Sequence, residues 1–293
     1  MNRKTLVQII KDRQTFLCVG LDTDAAKMPG HLSKDKKGII QFNKAIIEAT
    51  RDFCVGYKIN TAFYECLGVK GWEILEETLA HIPSTHFKIA DAKRGDIGNT
   101  SAQYARTFFE VFPFDAVTVT PYMGEDSIRP FLEYENKWTI VLALTSNSGS
   151  ADFQRLNLYQ DSDDQGRLPQ KQNPQPKKSV YEKVLEKVAT WGTVDNLMFV
   201  VGATRTAELA NVRAIIPDHF LLVPGVGAQG GSLQDVARYG MNTDIGLLVN
   251  SSRNILYASD KSDFAEAASL AAKNYQLEMK PLLSSINVSP PLT

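Results

Sequence analysis

The chain has 293 residues, of which 43% are hydrophobic, and a formal net charge of −1. That apolar fraction is too high for a disordered chain, and the balanced charge gives no global field to draw in nucleic acid or acidic lipid. Three cysteines without C-x-x-C spacing and four histidines without a paired spacing argue against a disulfide framework and against a zinc site.

The N-terminal "MNRKTLVQIIKDRQ" has a basic start, but its apolar stretch from Leu6 to Ile10 is broken at Gln8. It is too short for a signal segment and suits an amphipathic first helix. Eight short β-rich runs follow: 15–22, 55–60, 86–93, 116–122, 139–146, 197–203, 219–226 and 245–252. They are nearly continuously apolar, as strands of a parallel sheet buried on both faces are. Helical patterns stand between them. "KSVYEKVLEKVATWG" puts Val180, Val184, Leu185 and Val188 on one face and stops at Gly192. "SLQDVARYG" starts with Ser232 as a candidate N-cap, has Asp235 three residues on, and ends at Gly240.

Eight βα units in a chain of this size predict an α/β fold of the TIM (β/α)8 barrel type, as one catalytic domain over residues 1–293. A doubly wound open sheet is the alternative. A polar insert at about 150–178, after the fifth strand and containing "DSDDQGRLPQKQNPQPKKS", breaks the rhythm. A connection of that length and composition reads as a functional flap or a disordered segment. No run approaches the length of a membrane-spanning helix. Cys18, Cys54 and Cys66 read as buried or neutral thiols in a reducing cytoplasm.

The polar ends of the strands carry the chemistry. "LDTD", "KIN", "DAKRGD", "TSNSG", "PGVGAQGG" and "NSSRN" all fall at C-terminal strand ends, which share one rim in a barrel. Asp91 and Lys93 are two apart on a strand, so both should point to the same side, with Ala92 facing the helices and Asp96 following on the loop. A lysine between two carboxylates is favoured as the cation and can protonate a developing carbanion. Taken alone, D-x-K-x-x-D fits a loop-ordering salt-bridge network equally well. Lys58 ends the neighbouring apolar strand and needs a partner, which Asp91 would supply; Asp22 ends the first strand. Gly225, Gly227 and Gly230 spell G-x-G-x-x-G, but after the seventh strand and without the acidic residue of a dinucleotide site. A glycine-rich turn before a helix makes an anion nest, and Arg253 after the eighth strand adds a cation. Together with Gln229 they suggest a site for one phosphate monoester.

At this point the residues resemble a known family. "VGLDTD", "GYKINTAFYECLG", "IADAKRGDIGNTSAQYA", "VTVTPYMGEDS", "LVPGVGAQGG" and "SSRNILYAS" are similar to the orotidine 5′-phosphate decarboxylases, in their longer bacterial branch. The resemblance implies a homodimer of TIM barrels with shared active sites, no cofactor, no metal, and a nucleotide substrate converted to UMP and CO2. It implies that Lys93 protonates C6, that Asp91 stands beside the leaving carboxylate, and that Lys58 completes the charge network. Asp96 would come from the second subunit, with Thr100 near it. Asp22 resembles a ribose ligand, Ser146 a pyrimidine ligand, and Gln229, Gly230 and Arg253 phosphate ligands. "TSNSG" departs from the better-known pattern around Ser146. Magnesium-dependent sugar-phosphate decarboxylases and hexulose-phosphate synthases share D-x-K-x-x-D; the resemblance suggests that they carry an acid where this chain has Lys58, and a lysine cannot ligate Mg²⁺. A non-catalytic phosphate-binding barrel is the alternative from another class.

Overall fold

Each apolar run becomes a strand because its side chains find cover on both faces. The computed structural model describes residues 1–158, 178–203, 206–226 and 231–285. The strands are β1 (Leu17–Gly20), β2 (Gly56–Asn60), β3 (Phe87–Arg94), β4 (Ala116–Val119), β5 (Trp138–Leu144), β6 (Leu197–Val201), β7 (Phe220–Pro224) and β8 (Leu247–Ser251). They pair in parallel with their sequence neighbours, and β8 closes on β1 through Leu17 opposite Val249 and Cys18 opposite Asn250. Closure rules out the open doubly wound sheet. Every residue of β1, β4, β6 and β8 is buried.

The barrel is plugged at its N-terminal end. Phe87, Trp138 and Phe220, the first residues of β3, β5 and β7, are fully buried and meet edge to face, with centroids 6.3 and 6.0 Å apart. Such a layer from alternate strands is how barrels of this size fill their interior. The helix Arg3–Arg13 lies below it and buries Leu6 and Ile10. The N-terminal ammonium reaches Asp115 Oδ1 at 2.7 Å, and Arg3 donates to the carbonyls of Val194 and Asp218 at 2.7 and 2.8 Å. The opposite, C-terminal rim is left for chemistry.

Local signals hold with two adjustments. Ser232 caps the helix Leu233–Gly240, its Oγ accepting from the Asp235 N–H at 3.2 Å. The helix Val180–Ala189 buries Tyr181, Leu185 and Val188, while Val180 and Val184 are half-buried. It starts on a Ser179–Glu182 capping box and ends before Gly192. Gly192 serves packing instead: a Cβ there would sit about 3.1 Å from Leu132 and Leu197. Cys18 and Cys54 are buried free thiols, with burial pushing Cys54 up to about 12, but Cys66 is exposed. In the insert, Asn157–Leu158 pairs antiparallel with Lys178–Ser179; residues 159–177 lie outside the described residues. No described helix is long and apolar enough to cross a membrane.

Candidate active site

Adjacent strands β1, β2 and β3 bring Asp22, Lys58, Asp91 and Lys93 together. The register sets Gly20 beside Lys58 and Asn60 beside Asp91, so the charged ends stand side by side at the rim. Lys58 Nζ lies 2.8 Å from Asp91 Oδ2 and 3.4 Å from Asp22 Oδ1. Lys93 Nζ lies 2.6 Å from Asp91 Oδ1. The result is an alternating row: carboxylate, ammonium, carboxylate, ammonium.

Burial sharpens this row. Lys58 is only 4% exposed. Burial alone would push its ammonium down, but the opposite charges of Asp22 and Asp91 outweigh that and hold it above the ordinary lysine range. Burial would likewise raise Asp91; Lys58 and Lys93 outweigh it and hold the carboxyl well below the usual carboxylate range. Both groups are therefore charged at neutral pH. Asp22 is held by the Asn60 N–H at 3.2 Å and by Ser252, whose hydroxyl donates to Oδ2 at 2.9 Å. Asn250 Nδ2 in turn donates to Ser252 Oγ at 3.2 Å.

Asp91 and Lys93 do meet on one side, but not by simple strand alternation. The β3–β4 register shifts between Ala90 and Arg94, and Lys93 has a left-handed backbone, φ +49°. Ala92 is buried against the barrel wall. Among the described residues of this chain, Lys93 has one carboxylate partner, Asp91, while Lys58 is the lysine of this row placed between two. Asp96 takes no part in that row: its Oδ1 accepts from the Ile97 N–H at 2.8 Å. Thr100 lies half-buried in the first turn of the helix Gly98–Arg106.

A cavity of about 410 Å³ opens over three members of this row, with Asp22, Lys58, Asn60 and Asp91 on one side and Gly225, Asn250, Ser252, Arg253 and Tyr257 on the other; Lys93 is not among its lining residues. Arg253 begins the short helix directly after β8, so the expected cation does face the cavity. Gly225, with φ +95°, turns the chain away at the end of β7. Gln229 and Gly230 lie outside the described residues. Ser146 follows β5 against Gly202, where an added Cβ would come within 2.8 Å of its own, and it is not part of the cavity lining. Sequence reading missed Thr118, whose hydroxyl donates to Asp91 Oδ1 at 3.0 Å, and the cavity-lining Asn60, Asn250, Ser252 and Tyr257. The positions of the first four at or beside strand ends, in "TVTP", "KIN" and "NSSRN", were the available signal; Tyr257 follows the short helix Arg253–Leu256 and carried none. A wider groove of about 630 Å³ lies outside the barrel between the helices Lys36–Thr50 and Val69–His81. There Lys36 is already paired with Glu73 and Glu77, at 3.0 and 2.8 Å, and no strand end reaches it.

Comparison with known proteins points the same way. A curated orotidine 5′-phosphate decarboxylase from Bacteroides fragilis is 53% identical over 289 residues, covering 98% of this chain and all of that protein. Another from Flavobacterium johnsoniae is 52% identical and covers 97% and 99% of the two chains. The structure of Leishmania donovani OMP decarboxylase superposes with a TM-score of 0.79 at 34% identity, over 96% of this chain and 98% of that one. A sequence model of the orotidine 5′-phosphate decarboxylase / HUMPS family matches residues 15–268. The barrel, the row of charges at its rim and these likenesses agree, and the chain belongs to the orotidine 5′-phosphate decarboxylase / HUMPS family.

Proposed function

We infer that this chain decarboxylates orotidine 5′-phosphate to UMP and CO2, a step of pyrimidine biosynthesis. The observation that carries the reading is Lys58, buried between Asp22 and Asp91 while Lys93 holds the other oxygen of Asp91. In the HUMPS-type alternative an acid is expected at position 58 to ligate Mg²⁺; here an ammonium fills that place. In the reaction the bond from C6 to the carboxylate breaks and its electron pair stays on C6 as CO2 leaves. The Lys93 ammonium then gives its proton to C6, and the resulting amine regains one from solvent. Asp91, kept ionised by two lysines, fixes Lys93 and stands as the fixed negative charge beside the departing carboxylate. Arg253 binds the phosphate, and Asp22 with Lys58 takes the ribose hydroxyls. Preorganised charges of this kind need no rearrangement as the transition state forms.

The active form is a homodimer in which each Asp96 serves the partner's site. This is supported by Asp96 standing outside its own chain's charge row and by apolar side chains exposed on the two adjoining loops: Ile97 after β3, Tyr122 and Met123 after β4. Tyr122 is 93% exposed, and clustered apolar exposure of that kind marks an association surface. Free cysteines, one of them exposed, suit a reducing cytoplasm. The test is loss of orotidine 5′-phosphate absorbance with purified protein, with and without EDTA. Turnover unaffected by EDTA is expected; folded protein that leaves the substrate untouched overturns the assignment, and EDTA-sensitive turnover restores the magnesium alternative.

A further inference from the structure

Lys93 sits where β3 slips register against β4, in a backbone region that a residue with a Cβ rarely adopts unless its neighbours hold it there. A bulge also takes an N–H out of the regular ladder, and a buried N–H needs another acceptor. Thr118 of β4 provides it. Its side chain is fully buried, and its Oγ1 accepts from the Lys93 N–H at 2.9 Å. The same hydroxyl donates its only proton to Asp91 Oδ1 at 3.0 Å. That oxygen also receives the Lys93 ammonium at 2.6 Å. One hydroxyl thus closes a ring through the backbone of Lys93, the carboxylate of Asp91 and the side chain of Lys93.

The direction of these bonds is fixed. Ionised Asp91 can only accept, so the threonine proton must go to it and a lone pair is left for the N–H. One residue on, Arg94 stacks its guanidinium over Tyr104 and Phe108, 5.3 and 5.5 Å from the ring centroids, and pairs with Glu65. The ladder then resumes with the Thr120 N–H to the Arg94 carbonyl at 2.8 Å. Arg94 is held on the helix side of the wall and Thr118 holds Lys93 on the other.

We propose that Thr118 is a positioning residue for the decarboxylation: it holds Lys93 in the left-handed bulge and Asp91 at a fixed rotation, and so aims the Lys93 ammonium. Thr118 is not among the residues lining the cavity, so it acts through these two neighbours. The inference rests on Lys93 as the proton donor.

The test compares Thr118→Val, which keeps the shape and loses both hydrogen bonds, with Thr118→Ser, which keeps the hydroxyl. Thr118→Val should lower kcat by about 10- to 100-fold, the range of a lost hydrogen bond to a charged group. KM and the calorimetric affinity for UMP should stay within about threefold, because the binding groups are untouched. Thr118→Ser should restore kcat to within about threefold of wild type. A merely structural threonine would move binding and kcat together, or neither. A kcat for folded Thr118→Val within twofold of wild type overturns the proposal, as does an equal fall in kcat and UMP affinity. Should the valine variant not fold, Thr118→Cys carries the same expectation and the same refuting results. Lys93→Ala is assayed beside them. If it retains turnover, the role of Lys93 has failed; if it is inactive while Thr118→Val is normal, only the role of Thr118 has failed.

Discussion

Replacing Lys58 by methionine keeps a long unbranched side chain and removes the central charge of the row. At an effective dielectric of about 20, the contacts at 2.8 and 3.4 Å correspond to about 6 and about 5 kcal/mol of gross attraction. Much of this is offset by the cost of burying the ions, and breaking such a pair from one side typically costs about 3–5 kcal/mol. Asp22 keeps Asn60 and Ser252, and Asp91 keeps Lys93 and Thr118, so the lower half of that range is expected. For a chain of this size that is a fall in Tm of roughly 5–6 °C. The pH dependence follows from the two shifts. Asp91 is depressed in the folded state, so its contribution is present above the unfolded carboxylate value and lost as pH falls through the folded one. Lys58 is raised, so its contribution is present below the unfolded lysine value and lost as pH rises through the folded one. Between about pH 5 and 9 both are in place, and the gap between wild type and variant should be flat. Below that window the gap should narrow, because the variant's unbalanced carboxylates take up protons. Urea unfolding followed by circular dichroism at fixed protein concentration measures it. A gap under about 1 kcal/mol at neutral pH, or one unchanged down to about pH 3, would refute the reasoning.

Three further outcomes are expected. Lys93→Ala and Asp96→Ala homodimers should each be severely impaired with UMP binding still measurable, and refolding the two together should restore about a quarter of the wild-type sites; inactivity despite demonstrated heterodimers would place Asp96 in its own subunit's site. Arg253→Ala should raise KM for the phosphorylated substrate by at least about tenfold, read from initial rates, and an unchanged KM would remove Arg253 from the phosphate site. His219 is held neutral by burial and then by Arg213, its pKa lowered to about 4, so its contribution is present above the unfolded value and lost as pH falls from about 6.5 toward 4. His219→Phe should flatten the fall of Tm across that window, and an unaltered slope would contradict it.

The strands and their rim were legible in the sequence because burial on both faces of a barrel wall writes a continuous apolar run, and each run ends where solvent begins. Lys58 could be read in the same way, since a lysine closing such a run has to find a carboxylate. Ser232 was visible because a cap is a contact between residues three apart. The tertiary structure alone decided how the charges are shared. That Lys58, and not Lys93, lies between two carboxylates of one chain depends on the β1–β2–β3 register, which no spacing encodes. Ser252 could be joined to Asp22, 230 positions away, only when β8 closed on β1. The left-handed turn at Lys93 and the threonine that supports it come from a slip between two strands, whereas sequence alternation assumes that there is none. Residue type and local period set what each strand end carries; register and closure set which of those ends touch.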